Sequence, residues 1–261
     1  MNKLEHITHK LPYGSIFLSS WLKQKGISHS LQQRYVSSKK LQKIGHGAFV
    51  RINEEPSIWA AINALQSQAK LVFHIAAHSA IILLGKTTTA HFKVHDLCFF
   101  GARATILPKW FLNHDWGVHL NYKTTNFLPK NMGLETILFK NFKLKISSHI
   151  RGILEIFYSA PNCWDLENCF HSLELARNTN SKILQSLLEH SDSAKANRLF
   201  LLFYENISTN KINTDRIKLG KAVYRVYKPG VYEPKYKLTI PFELVEKDFN
   251  TGLSKIKTLN V

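Results

Sequence analysis

The sequence predicts a mixed α/β (α+β) fold, with an N-terminal winged helix-turn-helix followed by a larger mixed domain. Three observations carry this. Residues 15–52 read as helix, glycine turn, polar helix and hairpin. The positive charge gathers in the same segment. Behind it, strand-like and helix-like segments are mixed, and the stretch after Ser147 is mostly helical. The expected division is 1–54 and 55–261, with Asn53-Glu54-Glu55-Pro56 as the linker.

Ser15–Lys25 reads as the first helix, with Ile16, Phe17, Leu18, Trp21 and Leu22 as its apolar stripe. Gly26 suits a left-handed C-cap, Ile27 anchors the turn, and Ser28 offers an N-cap oxygen. The second helix runs from Ser28 to about Ser38. Leu31 and Tyr35, four apart, share its buried face. At 100° per residue the other face carries His29, Ser30, Gln33 and Ser37, flanked by Gln32 and Arg34. Short hydroxyls and amides can read base edges, while Arg and Lys hold phosphates. Leu41–Ile52 alternates around Gly45-His46-Gly47, the pattern of a tight hairpin. A hairpin after a recognition helix is a wing, and Lys43, His46 and Arg51 would lie along it.

The 261 residues hold 35 Lys and Arg against 18 Asp and Glu, a net charge of +17. Nine of those cations and one acid, Glu5, fall in residues 1–52, leaving +8 there. Such a surplus attracts polyanions: nucleic acid, an anionic membrane or an acidic protein. A second basic stretch runs from Arg216 to Lys237. Cys98, Cys163 and Cys169 form no CxxC pair, which argues against a disulfide framework or a cysteine-rich zinc site. The apolar runs are far too short to span a bilayer, and the N-terminus has no signal-peptide pattern. The expectation is a soluble cytoplasmic protein.

Beyond Ser57, which caps a helix bearing Ile58, Ala61, Ile62 and Leu65, strands are expected at Leu71–Ile75, His91–Phe99, Thr105–Leu107 and Gly117–Tyr122, with a hairpin near Leu134–Ile146. Helices are expected at Ala76–Leu84, His149–Tyr158, Trp164–Arg177, Ser181–Glu189 and Ala194–Asn206. Strands return at Ala222–Tyr227 and Tyr236–Phe242.

Catalytic patterns are missing. No phosphate-cradling glycine loop and no GxSxG elbow occurs. His74/His78 and His91/His95 have four-residue spacing, but no glutamate completes an HExxH motif. Asp96, Asp115 and Glu135 lack the close acidic spacing of a metal-dependent nuclease. Arg151 and Glu155 read as a helix-surface ion pair. No enzyme activity, cofactor or metal is expected.

The order of several blocks resembles AbiEi-type antitoxins. They are Gly14–Ser28, Arg34-Tyr35-Val36, Ile44–Phe49, Trp59–Gln66, Phe111–Gly117, Ser147–Glu155 and Pro234–Pro241. The resemblance implies an antitoxin of a type IV toxin–antitoxin system, used in phage defence. It would bind inverted repeats in its own promoter and counteract a nucleotidyltransferase-like toxin without a tight complex. Carried onto this chain, the DNA-reading candidates are Ser30, Gln32, Gln33, Arg34, Ser37, Lys39 and Lys40, with Lys43, His46 and Arg51 on the wing. Lys218, Lys221 and Arg225 are candidates for the antitoxic surface. The alternatives are a stand-alone winged-helix regulator whose large domain senses a ligand, and a metal-dependent nuclease.

Overall fold

The computed structural model describes residues 3–85, 96–162, 166, 169, 172–173, 181–208, 211–227 and 229–241. The first elements are α1 (Lys3–Thr8), β1 (Phe17–Leu18), α2 (Ser19–Gln24), α3 (His29–Ser37), β2 (Leu41–Gly45) and β3 (Ala48–Arg51). The three strands form a sheet in the order β1-β3-β2. Helices α1 to α3 interleaved with this sheet make a winged helix. Leu4, Phe17, Leu22, Ile27, Tyr35, Leu41 and Phe49 form its core. Residues 1–54 therefore have an apolar centre of their own.

Local chemistry explains these elements. Gly26, with φ +79°, ends the α2 turn. The Ser28 side chain accepts the Leu31 amide at 3.3 Å and starts α3. Gly47, with φ +73°, closes the hairpin.

One expectation needs correction here. Residues 15–18 do not extend the first helix. Phe17 and Leu18 pair with Phe49 and Ala48 as β1. Adding a third strand buries both side chains and satisfies backbone groups that a longer helix would have taken.

The chain divides into two compact units. The first comprises Met1–Ile75, His95–Thr124 and Glu135–Ile146. It joins the winged helix to α4 (Ile58–Ser67), α6 (Lys109–Asn113) and a mixed five-stranded sheet. That sheet holds β4 (Phe73–Ile75), β5 (Asp96–Gly101), β6 (His119–Thr124), β7 (Leu134–Phe139) and β8 (Phe142–Ser147), in the order β6-β5-β4-β8-β7.

Residues 53–56 are not a loose linker. Tyr13 Oη donates to Asn53 O at 3.1 Å, and Glu54 Oε2 accepts the Gly14 amide at 2.8 Å. A side chain at Gly14 would start 2.5 Å from Glu55 O. Beyond α4, the Gln68 amide acts as a substitute strand for β1. It donates to Ile16 O at 2.7 Å and accepts from Leu18 N at 2.9 Å. Gln66 does the same for the larger sheet, bonding both the amide and the carbonyl of Lys145.

The second unit comprises Ala76–Val94, Thr125–Leu134 and Ser147–Val261. It contains α5 (Ala77–Leu83), α7 (His149–Ser159), α8 (Ser181–Glu189), α9 (Ala194–Ile207) and a small sheet. The sheet is β9 (Tyr224–Arg225), β10 (Val231–Glu233) and β11 (Leu238–Ile240), in the order β10-β11-β9. Helix α7 is buried along most of its length and packs on α5 through Gly152. A Cβ there would stand 3.1 Å from Ala77 O.

The Arg151–Glu155 pair is not on a helix surface. Both side chains are buried, with Arg151 Nε 2.8 Å from Glu155 Oε1. Glu155 Oε2 accepts from Ser147 Oγ at 2.6 Å and from the Ala77 amide at 3.0 Å. Arg151 also donates to Pro129 O at 2.8 Å. Ala77 has φ +51°, an unfavourable angle for a residue with a Cβ, and the carboxylate holds its amide.

Most other expected elements are present within a residue or two of their bounds. Thr105–Leu107 is not a strand; Thr105 Oγ1 instead donates to Val72 O at 3.1 Å. Residues 91–95, and most of the helix expected at Trp164–Arg177, lie outside the described residues.

Candidate nucleic-acid interface

Helix α3 turns Leu31, Tyr35 and Val36 towards the winged-helix core. That leaves His29, Ser30, Gln33, Arg34 and Ser37 exposed on the outer side. Lys39 and Lys40, just beyond the helix, are also exposed. Lys39 has φ +52° where the chain reverses into β2. On the wing, Lys43 and His46 are exposed, and His46 sits at the hairpin tip. No carboxylate occurs anywhere from His29 to Arg51. Glu5 lies 3.8 Å from Lys40 Nζ at the exposed surface, where a pair of this kind contributes about 0–1 kcal/mol. The face thus offers amides, hydroxyls and fixed cations with little internal neutralisation.

Two expected contact residues are not on that face. Gln32 is 0% exposed. Its amide donates to Ile27 O at 2.9 Å and Ser19 O at 3.1 Å, while its Oε1 accepts from Ser19 Oγ at 2.6 Å. The side chain stitches the start of α2 to α3, so nothing is left of it to read a base. Helical geometry put Gln32 on the flank of the outer face, and that flank turns towards α2.

Arg51 is the second correction. It donates to Glu54 Oε1 at 2.5 Å, Thr8 O at 2.6 Å and Pro12 O at 2.9 Å. Its guanidinium also lies 5.9 Å from the centre of the Phe17 ring. A planar fork with five donors is suited to collecting carbonyls. Here it fastens the segment after α1 to the end of β3.

Trp110 is an anchor, as an aromatic residue of this kind suggests, but its partner on the wing is not legible in the sequence. A Cβ on Gly45 would stand 2.4 Å from the Trp110 Cβ. Gly45 is therefore glycine for close packing, whereas Gly47 is glycine for its turn angle. Trp110 braces the wing from behind. The two are far apart in the chain, and nothing in the local pattern links them.

In the second unit Lys218, Lys221 and Arg225 are all exposed. Lys218 pairs with Asp192. Their loop is pinned to α9: Asn197 Nδ2 donates to Lys218 O at 3.1 Å, and Arg198 donates to Gly220 O and Ala222 O, both at 2.5 Å. Arg198 also lies over the Tyr224 ring, 5.2 Å from its centre.

Among the described residues, no group of three or more His, Cys, Asp or Glu could hold a metal ion. Asp96 faces His119 at 3.1 Å, and Asp115 caps the Gly117 amide at 2.9 Å. No helix among the described residues is long and apolar enough to cross a membrane.

Comparison with known proteins places the chain. Residues 1–92 match the family described as "Transcriptional regulator, AbiEi antitoxin N-terminal domain". Residues 95–241 match "Transcriptional regulator, AbiEi antitoxin, Type IV TA system". No curated protein matches at a significant level. Among solved structures, the RV2827C protein from Mycobacterium tuberculosis is similar in fold, with a TM-score of 0.52. It is 12% identical, over 90% of this chain and 88% of that one. The matches cover nearly the whole chain, and the expected kinship stands: this protein belongs to the AbiEi antitoxin family of transcriptional regulators, from type IV toxin–antitoxin systems.

Proposed function

We propose that this chain represses its own operon by occupying the promoter, and that it counteracts a nucleotidyltransferase-like toxin encoded beside it. The observation that carries the DNA half is the outer face of α3 and the wing. Gln33, Arg34, Ser37, Lys39, Lys43 and His46 are exposed there, and no Asp or Glu occurs in the sequence from His29 to Arg51. Family membership supports both halves.

In this reading α3 enters the major groove, with Ser30, Gln33, Arg34 and Ser37 nearest the base edges. Lys39, Lys40, Lys43 and His46 hold phosphates on either side. Inverted repeats would seat two copies. The second unit supplies the antitoxic surface, with Lys221 and Arg225 as exposed cations and Lys218 partly committed to Asp192. Antitoxicity acts without a tight complex, in the cytoplasm, and the chain catalyses no reaction of its own.

Co-expression tests the antitoxic half. Growth should stop when the adjacent gene is induced alone and resume when this chain is supplied. Unrelieved arrest would remove that half. A gel shift comparing promoter with random DNA of equal length tests the repressor half, and equal affinities would remove it.

A further inference from the structure

The first unit opens a cleft of about 690 Å³ beside α3. Its lining combines two chemistries. Lys23, His29, Gln33, Lys43 and His46 supply polar and cationic groups. Leu65, Leu71, Ile106, Pro108 and Trp110 supply apolar surface. No carboxylate lines the cleft among the described residues. Ile106 is 84% exposed, so a large aliphatic side chain meets water at the cleft wall.

A phosphodiester backbone would satisfy the cations and leave the apolar lining wet. A neutral hydrophobe would do the reverse. The volume falls within the range of small-molecule sites, about 300–1,000 Å³, and such sites combine an apolar lining with a few convergent polar groups. We infer that this cleft binds a small organic anion with an apolar or aromatic body, its charge towards Lys23 and Lys43 and its body against Ile106 and Trp110. Gln33, Lys43 and His46 belong both to this cleft and to the proposed DNA face. A bound anion therefore competes with the duplex for them, and operator binding falls as the anion rises. This second consequence rests on the DNA-binding reading; the binding site itself does not.

The full chain can be titrated with 1-anilinonaphthalene-8-sulfonate, an aromatic sulfonate that brightens in apolar surroundings. Saturable binding of one probe per chain is expected. Ile106→Asp and Lys43→Glu should each weaken it by about ten-fold or more, with unchanged melting because both side chains are exposed. Saturating probe should weaken promoter binding by the wild-type chain in a gel shift, but not by Ile106→Asp. Absence of saturable binding, or binding indifferent to both substitutions, overturns the inference. So does an Ile106→Asp chain that loses promoter affinity while the wild type binds no probe, since that assigns the wall to DNA. A wild-type chain that ignores promoter DNA sinks the repressor reading and the competition, while the probe titration still decides the cleft.

Discussion

Gln32 spends its whole amide inside the winged helix, while its neighbour Gln33 presents the same chemistry to solvent. Gln32→Ala strips the partners from buried carbonyls and should cost about 1–3 kcal/mol. Gln33→Ala should leave stability within about 0.5 kcal/mol and lower only DNA affinity. Urea denaturation of both variants separates the two roles, and equal losses would contradict it. Arg151 and Glu155 make a harsher case in the second unit. Glu155→Ala leaves a buried guanidinium and the Ala77 amide without their carboxylate, and should cost about 3–5 kcal/mol. A loss of only a few tenths, measured the same way, would return the pair to an ordinary surface bridge. At this scale the sequence was legible for caps and exposed cations. It was not for Gln32 or Arg51, whose partners lie on other elements and leave no periodic trace.

At the scale of elements, the wing depends on how close its backbone can come to the Trp110 Cβ. Gly45→Val places a Cβ against the Trp110 Cβ, so either the wing lifts or the Trp110 backbone shifts. A loss of about 1–3 kcal/mol is expected, with partial recovery in Gly45→Val combined with Trp110→Gly, which removes the Cβ that the new side chain meets. Additive losses in this double-mutant cycle would show that the contact does not hold the wing. The helix-turn-helix and hairpin were readable because their signals are local: Gly26, Ser28, and the apolar alternation around Gly45-His46-Gly47. Strand β1 was not. Two apolar residues beside a helix look like its first turn, and only pairing with β3 makes them a strand. Residues 53–56 carried the composition of a linker, but Gly14 and Tyr13 turn them into a packed corner. The small strand β10 and helices α1 and α6 are too short to impose a period on the sequence.

For the whole molecule the governing quantity is charge and where it is spent. The net charge is +17, yet Arg51, Arg151 and Arg198 are consumed inside the fold. Arg34, Lys39, Lys40 and Lys43 remain on the α3 and wing face. If the three lysines each neutralise one phosphate, the logarithm of promoter affinity should fall with the logarithm of salt at a slope of about −2.7 per protomer. A flat dependence would exclude a phosphate-dominated interface. The most direct measurement is promoter affinity by gel-shift titration for Arg34→Ala combined with Lys39→Ala, set beside the melting curve of the same variant. The account predicts a loss of about ten-fold or more in affinity with an unchanged melt. Full affinity in the intact double variant would contradict it.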